Sequence, residues 1–412
     1  MLNQVVSSGT TFILGVYLVR ILTPVEFGLY GIGFAVTLLY SGIGNALFLT
    51  QMMVHSPDKP SIDRIHYAAR MLVMLVLFCF ISWLLMACIV LFGEALWDTL
   101  RDYSGLCFAV MFASVANLMK EYFIRYAYIV RKESRALITS FSWTTGVVSL
   151  LVLSDIFVVE MSAVVALWVF GIANFGAVLV GFLINKLPVQ KVRKELILED
   201  FHEAFHGGRW ALGGVSVNWM QSQAYIYITA ILLGPTGVAF VNAAKLFISP
   251  FSFLLPALNQ IVLPRLADIR NSNSLKMMKQ GILFTLILVV FGVFYFLILF
   301  FAMEHITPLL IGDKYTISTI KPLVFMWCLV LFFQLIRGGA SNLLLVLKAF
   351  KSIMFDNVIS AVVALVSIFV LVSKIGIIGA IIGTGIGELI FSILLWKRLY
   401  NSRRSYKEKA SL

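Results

Sequence analysis

The chain has 412 residues, of which 60% are hydrophobic and only 13% charged, with a net charge of +12 and a mean hydropathy of +0.96. Soluble domains carry about 25% charged residues, so this composition excludes a soluble fold. The apolar residues come in blocks of about 20, the length that crosses a hydrocarbon core about 30 Å thick. Their dense Leu, Ile, Val and Phe runs point to helices rather than the alternating strands of a barrel.

In chain order, six spans are expected near residues 3–22, 27–50, 68–92, 104–129, 136–156 and 162–185. Six more are expected near 210–232, 236–260, 280–302, 319–343, 355–373 and 376–398. The fourth, eighth and tenth are the most polar. Between the two sets lies "NKLPVQKVRKELILEDFHEAFHGGR" (185–209), where Leu196, Ile197, Phe201 and Phe205 recur at near-helical spacing among charges. That pattern predicts a short helix lying on the membrane surface. The expected organisation is an N-terminal lobe over 1–185, a cytoplasmic linker over 186–209 and a C-terminal lobe over 210–412 ending in a basic tail.

Lys and Arg sort unevenly between alternate loops. With both termini inside, 23 of the 32 fall in cytoplasmic loops and the tail. Arg20, Arg101, Lys314, Lys321 and Lys374 fall outside, and Lys120, Arg125, Lys245 and Arg337 lie within spans. This is the positive-inside pattern of a multi-pass membrane protein. No basic module interleaved with aromatics is present to hold nucleic acid.

Chemistry is sparse. Cys79, Cys88, Cys107 and Cys328 sit in or beside apolar spans without CxxC spacing and read as small apolar fillers. The five histidines form no ligand pattern, and there is no Walker A, GxSxG or GxGxxG motif. No catalytic residue, metal site or cofactor is expected. The first span begins almost at Met1 without a basic leader, so no cleavable signal peptide is read there.

The two halves look related. "LTPVEFGLY" (22–30) and "LGPTGVAFV" (233–241) each turn one span into the next, with Leu22 and Pro24 matching Leu233 and Pro235 at an offset of 211. The same offset brings Arg125 within one residue of Arg337. Six spans per half make the repeats parallel, related by an axis along the membrane normal. "GAIIGTGIGE" (379–388) supplies small residues for close helix approach.

A charge at mid-bilayer costs roughly 2.5–3.5 kcal/mol, so such groups face protein or water. From a rise of 1.5 Å per residue, Lys120 lies about 24 Å along its span and Lys245 about 14 Å. The expectation is a cationic path from the inner surface to mid-membrane, built from Lys120, Arg125, Lys245 and Arg337 and suited to an anion. Asn117, Asn218, Gln221, Gln223 and Asn242 either line the same cleft or join helices. Glu121 and Glu388 either couple an ion or neutralise a neighbouring cation; Glu121 stands four residues before Arg125, where the two can pair.

"VRILTPVEFGLYGI" (19–32) resembles the turn between the first two helices of bacterial polysaccharide (O-antigen) flippases, within the multidrug/oligosaccharidyl-lipid/polysaccharide exporter superfamily. Arg20, Pro24, Phe27, Gly28 and Tyr30 carry that resemblance, with Pro235 at the opening of the second half. "ILLGPTGVAFVNAAKLF" (231–247) and "ITPLLIGDKYTIS" (306–318) resemble further segments of the family. The resemblance implies an all-α fold of two pseudo-symmetric six-helix bundles in a V, with alternating access. It implies transport of an undecaprenyl-pyrophosphate-linked oligosaccharide across the bacterial inner membrane; the pseudo-symmetric pair of halves makes a monomer sufficient. A polysaccharide polymerase and a chain-length regulator are the partners to expect, besides membrane lipid. Many relatives carry an acid in the seventh span where this chain has "QSQAYIYI" (221–228), so coupling schemes built on that acid do not transfer. The alternatives are a drug or cation antiporter, for which the first span lacks an acid, and a membrane enzyme of polysaccharide assembly, for which the outer loops are too short.

Overall fold

The structure, a computed structural model, describes residues 2–56, 60–96, 98–185, 194–272 and 274–410. All regular elements among these residues are helical. Helix α1 (Leu2–Ile21) turns into α2 (Pro24–Gly44), which continues through a π-helical turn (Asn45–Leu49) into α3 (Thr50–His55). Then follow α4 (Ser61–Leu96), α5 (Asp98–Ile129), α6 (Glu133–Ile156) and α7 (Ala163–Asn185). The second half holds α8 (Lys194–Leu246), α9 (Ser249–Ser272), α10 (Ser274–Ile311), α11 (Ile317–Val346), α12 (Phe350–Ile375) and α13 (Ile377–Ala410).

Among the described residues eleven stretches are long and apolar enough to cross a membrane, so the protein is multi-pass. The eighth of the twelve expected spans accounts for the difference. It is divided at Phe247–Ile248 between the end of α8 and α9, and Asn259, Gln260, Arg265, Asp268 and Arg270 lower the hydropathy of α9. The preceding turn is real: Gly234 breaks α8 with φ 73° and ψ −178°, a conformation that glycine alone adopts readily. Pro235 then opens the next segment, where its missing N–H leaves no helical bond unmade.

Of the expected linker, residues 186–193 lie outside the described residues, as do Lys59, Lys186, Lys191 and Arg193 of the inner loops. From Lys194 onward the chain is helical and runs without a break into the seventh span. A separate surface helix is therefore not seen there; the polar segment extends α8.

The chain packs as two compact units, one of Met1–Leu14 with Leu29–Ser216 and one of Gly15–Gly28 with Val217–Leu412. The first unit extends to Ser216 because the early part of α8 packs on it. Asp200 pairs with Arg70, Gly208 meets Leu47, and Gly42 meets Val215. Within this unit α5 is central: 67% of its most apolar window is buried, against 17% for α4. In the second unit α13 lies on α12, with Gly383 over the Ile368 backbone and Gly387 against Ala364. Spacing of four residues puts both glycines on one helix face, which explains the glycine-rich stretch. Phe80, Leu85 and Phe92 of α4 and Leu283, Val290, Phe294 and Phe301 of α10 are exposed, as suits helices bordering hydrocarbon.

Candidate functional site

In the first unit Lys120 of α5 is 3% exposed. Its Nζ stands 3.9 Å from the centroid of the Trp143 ring on α6, which in turn packs edge-on against Phe170 of α7 at 5.9 Å. Lys120 forms no ion pair among the described residues; Glu121, next in the chain, acts on both Lys120 and Arg125 by its charge. A desolvated cation–π contact is worth about 2 kcal/mol, close to the cost of burying the ammonium in a membrane. The ring thus lets the lysine stay charged without cancelling the charge. One turn earlier Asn117 Nδ2 donates to Ser41 Oγ at 2.8 Å and Ser114 Oγ donates to Thr37 Oγ1 at 3.2 Å. Asn117 therefore ties α5 to α2. Arg125 is half-buried near the end of α5.

In the second unit Lys245 sits in the last turn of α8. Its Nζ donates to Tyr225 Oη at 3.0 Å, and that hydroxyl donates to Asn242 Oδ1 at 3.0 Å. The ammonium also lies 4.9 Å from the Tyr225 ring centroid and 5.1 Å from that of Trp327. Trp327 is fixed by its own Nε1, which donates to the Val241 carbonyl at 3.0 Å. Lys245 likewise forms no ion pair among the described residues. The two lysines share a chemistry: an amine held by aromatic rings, with no ion pair among the described residues.

Arg337 differs. Its Nε lies 2.9 Å from Glu388 Oε2, poorly aligned for N–H donation, so the contact is an ion pair rather than a hydrogen bond. Glu388 Oε1 accepts from Gln334 Nε2 at 3.1 Å, and the guanidinium stands 5.0 Å from the Phe391 ring. Glu388 is 4% exposed and engaged by two partners. Its cationic partner is Arg337. Gln221 is buried with its Nε2 unsatisfied among the described residues; Gln223 is half-buried and Asn218 exposed.

The residues of the turn motif hold helix ends together. Lys314 Nζ donates to the carbonyls of Ile21 and Leu22, satisfying acceptors left open at the C-terminus of α1. Arg20 Nη1 donates to the Leu309 carbonyl at 3.0 Å. Thr23 Oγ1 accepts the Glu26 N–H at 3.3 Å, and Pro24 follows as the first residue of α2, a standard opening for a helix. Phe27 and Tyr30 are buried. A Cβ at Gly28 would sit 1.8 Å from the Pro235 carbonyl oxygen. The two turns matched by sequence are thus packed against each other.

Trp143, Tyr225, Trp327 and Gln334 were not among the residues singled out by sequence. Tryptophans far from either end of an apolar span were the available signal, since Trp in membrane helices concentrates at the interfaces. Among the described residues no group of three His, Cys, Asp or Glu side chains comes together to hold a metal.

The sequence profile of a family described as "Polysaccharide biosynthesis protein" matches residues 17–320. No curated protein sequence matches the chain. Among solved structures, the lipid II flippase MurJ in an inward closed conformation aligns with a TM-score of 0.74 at 15% identity, over 96% of this chain and 86% of MurJ. An inward-facing multidrug resistance MATE family transporter of the MOP superfamily aligns with a TM-score of 0.71 at 13% identity, over 99% of this chain and 96% of the transporter. A eukaryotic MATE transporter, AtDTX14, aligns with a TM-score of 0.65 at 14% identity, over 97% and 93% of the two chains. The fold is thus the one shared by MurJ and these MATE transporters.

Proposed function

The chain belongs to the polysaccharide biosynthesis protein family, and from that membership we propose that it flips an undecaprenyl-pyrophosphate-linked oligosaccharide of O-antigen type. The movement runs from the cytoplasmic to the periplasmic leaflet of the bacterial inner membrane, by alternating access, with both termini cytoplasmic. One observation carries the reading: each unit holds a lysine among aromatic rings with no carboxylate paired to it among the described residues. A pyrophosphate is the anion such amines would take, and Gln221, with its unsatisfied amide, is suited to a sugar hydroxyl. Arg337 contributes through its pair with Glu388 rather than as a free cation. Antiport of an organic cation is the weaker reading, because Glu388 is already bound to Arg337.

No acid in the seventh span is available for ion coupling, so the membrane potential is the simplest driving force. With an inside-negative potential, outward passage of each negative charge gains about 2.3 kcal/mol per 100 mV. A deletion strain tests the proposal: lipid-linked repeat units should accumulate on the cytoplasmic leaflet. Accumulation of unlinked precursors alone would contradict it. Association with a polysaccharide polymerase and a chain-length regulator is part of the same proposal.

A further inference from the structure

Lys245 is half-buried, whereas the two rings around its ammonium are almost wholly so, Tyr225 at 1% and Trp327 at 2% exposure. The lysine is thus the accessible member of a group whose other parts are fixed in the core of the second unit. Trp327 of α11 is anchored through its Nε1 to the Val241 carbonyl, one helical turn before Lys245. The Tyr225 ring meets the Trp327 ring edge-on at 5.4 Å. Its hydroxyl stands between Lys245 and Asn242, 3.0 Å from each.

The direction of that bridge follows from the groups themselves. An ammonium only donates, and an amide oxygen only accepts. The phenol therefore gives its one proton to Asn242 and turns a lone pair to the Lys245 Nζ. Without Asn242 that proton could swing toward the ammonium and spoil the bond. Of the three N–H donors on Nζ, one goes to Tyr225, and the other two have no partner among the described residues. A lysine on its flexible four-carbon stem ordinarily loses rotamer freedom when it captures an anion. Here the stem is ordered beforehand, which strengthens capture without adding a contact.

We propose that Tyr225, oriented by Asn242, is a positioning residue: it aims the Lys245 ammonium at the pyrophosphate of the cargo and does not touch the cargo itself. This rests on the flippase reading given above and adds to it a residue that acts only through the lysine.

A double-mutant cycle on the full chain in nanodiscs tests it, with equilibrium binding of polyprenyl pyrophosphate and of uncharged polyprenol as readouts. Tyr225→Phe keeps the ring and removes only the hydroxyl. It should weaken pyrophosphate binding by roughly three- to tenfold, the net worth of one hydrogen bond. In a Lys245→Gln background the same substitution should change nothing, because its effect passes through the lysine. Polyprenol binding should be unchanged throughout. Tyr225→Phe also leaves the Asn242 amide oxygen without its donor, so Tyr225→Phe with Asn242→Leu, which removes the acceptor as well, serves as the control for folding. That variant should melt at the parental temperature and keep the pyrophosphate defect. Recovery of binding along with melting temperature would assign Tyr225 to the fold alone and overturn the proposal. So would an equal loss in both lysine backgrounds, an equal loss of polyprenol binding, or undiminished pyrophosphate binding in Tyr225→Phe; in each of these cases the flippase reading would stand. A parent protein that binds no polyprenyl pyrophosphate would overturn both.

Discussion

Lys120 holds its ammonium 3.9 Å from the centroid of the Trp143 ring, with both side chains almost wholly buried. The ring supplies negative electrostatic potential without supplying a negative charge. An anionic ligand can therefore still gain from the lysine, which a carboxylate partner would have prevented.

Lys120→Gln is expected to reach the membrane at parental levels and to lose at least tenfold in transport, because it deletes the charge while keeping a polar side chain of similar length. Trp143→Phe keeps a ring of weaker cation affinity and should retain more transport. Surface polysaccharide in a complemented deletion strain, normalised to membrane protein level, checks both. Equal transport in Lys120→Gln and the parent would remove the lysine from the mechanism.

Arg337 and Glu388 should behave as a structural pair. Removing one partner of a buried pair costs about 3–5 kcal/mol, whereas replacing both with apolar residues is often close to neutral. Thermal unfolding of detergent-purified protein should show Arg337→Met and Glu388→Leu each destabilised and the double variant substantially restored. Additive losses would mean that the two side chains act separately.

Gly28→Ala should be severe, since the new methyl would meet the Pro235 backbone at 1.8 Å, and backbone cannot step aside as a side chain does. Gly9→Ala, with nothing within 4 Å of its added Cβ, should be neutral or slightly stabilising, by up to about 1 kcal/mol from helix propensity. Expression level and melting temperature distinguish the two positions.

Transport should respond to membrane potential even without an ion gradient. In proteoliposomes carrying a potassium diffusion potential, outward movement of a pyrophosphate-linked lipid should accelerate as the side of origin becomes more negative. A rate that follows a sodium or proton gradient and ignores the potential would instead call for a coupling acid.

Much of this architecture was legible in the sequence. Hydropathy located the spans because the bilayer enforces a minimum apolar length on every crossing helix. It did not register the break at Phe247–Ile248, which divides the eighth span between α8 and α9. Placing Lys120, Lys245 and Arg337 inside spans was equally direct. Their partners were not readable: Trp143 is 23 positions from Lys120, Trp327 is 82 from Lys245 and Glu388 is 51 from Arg337. Pairings across such separations depend on which helix faces pack together. That same packing gives Arg337 a carboxylate partner in Glu388 and gives the two lysines aromatic rings.

The central claim is that Lys120 and Lys245 serve the phosphate end of the cargo. Equilibrium binding of polyprenyl pyrophosphate and of the uncharged polyprenol to the parent, Lys120→Gln and Lys245→Gln tests it most directly. The account predicts that each substitution weakens pyrophosphate binding at least tenfold, about 1.4 kcal/mol, and leaves polyprenol binding unchanged. Undiminished pyrophosphate binding in both variants would contradict it.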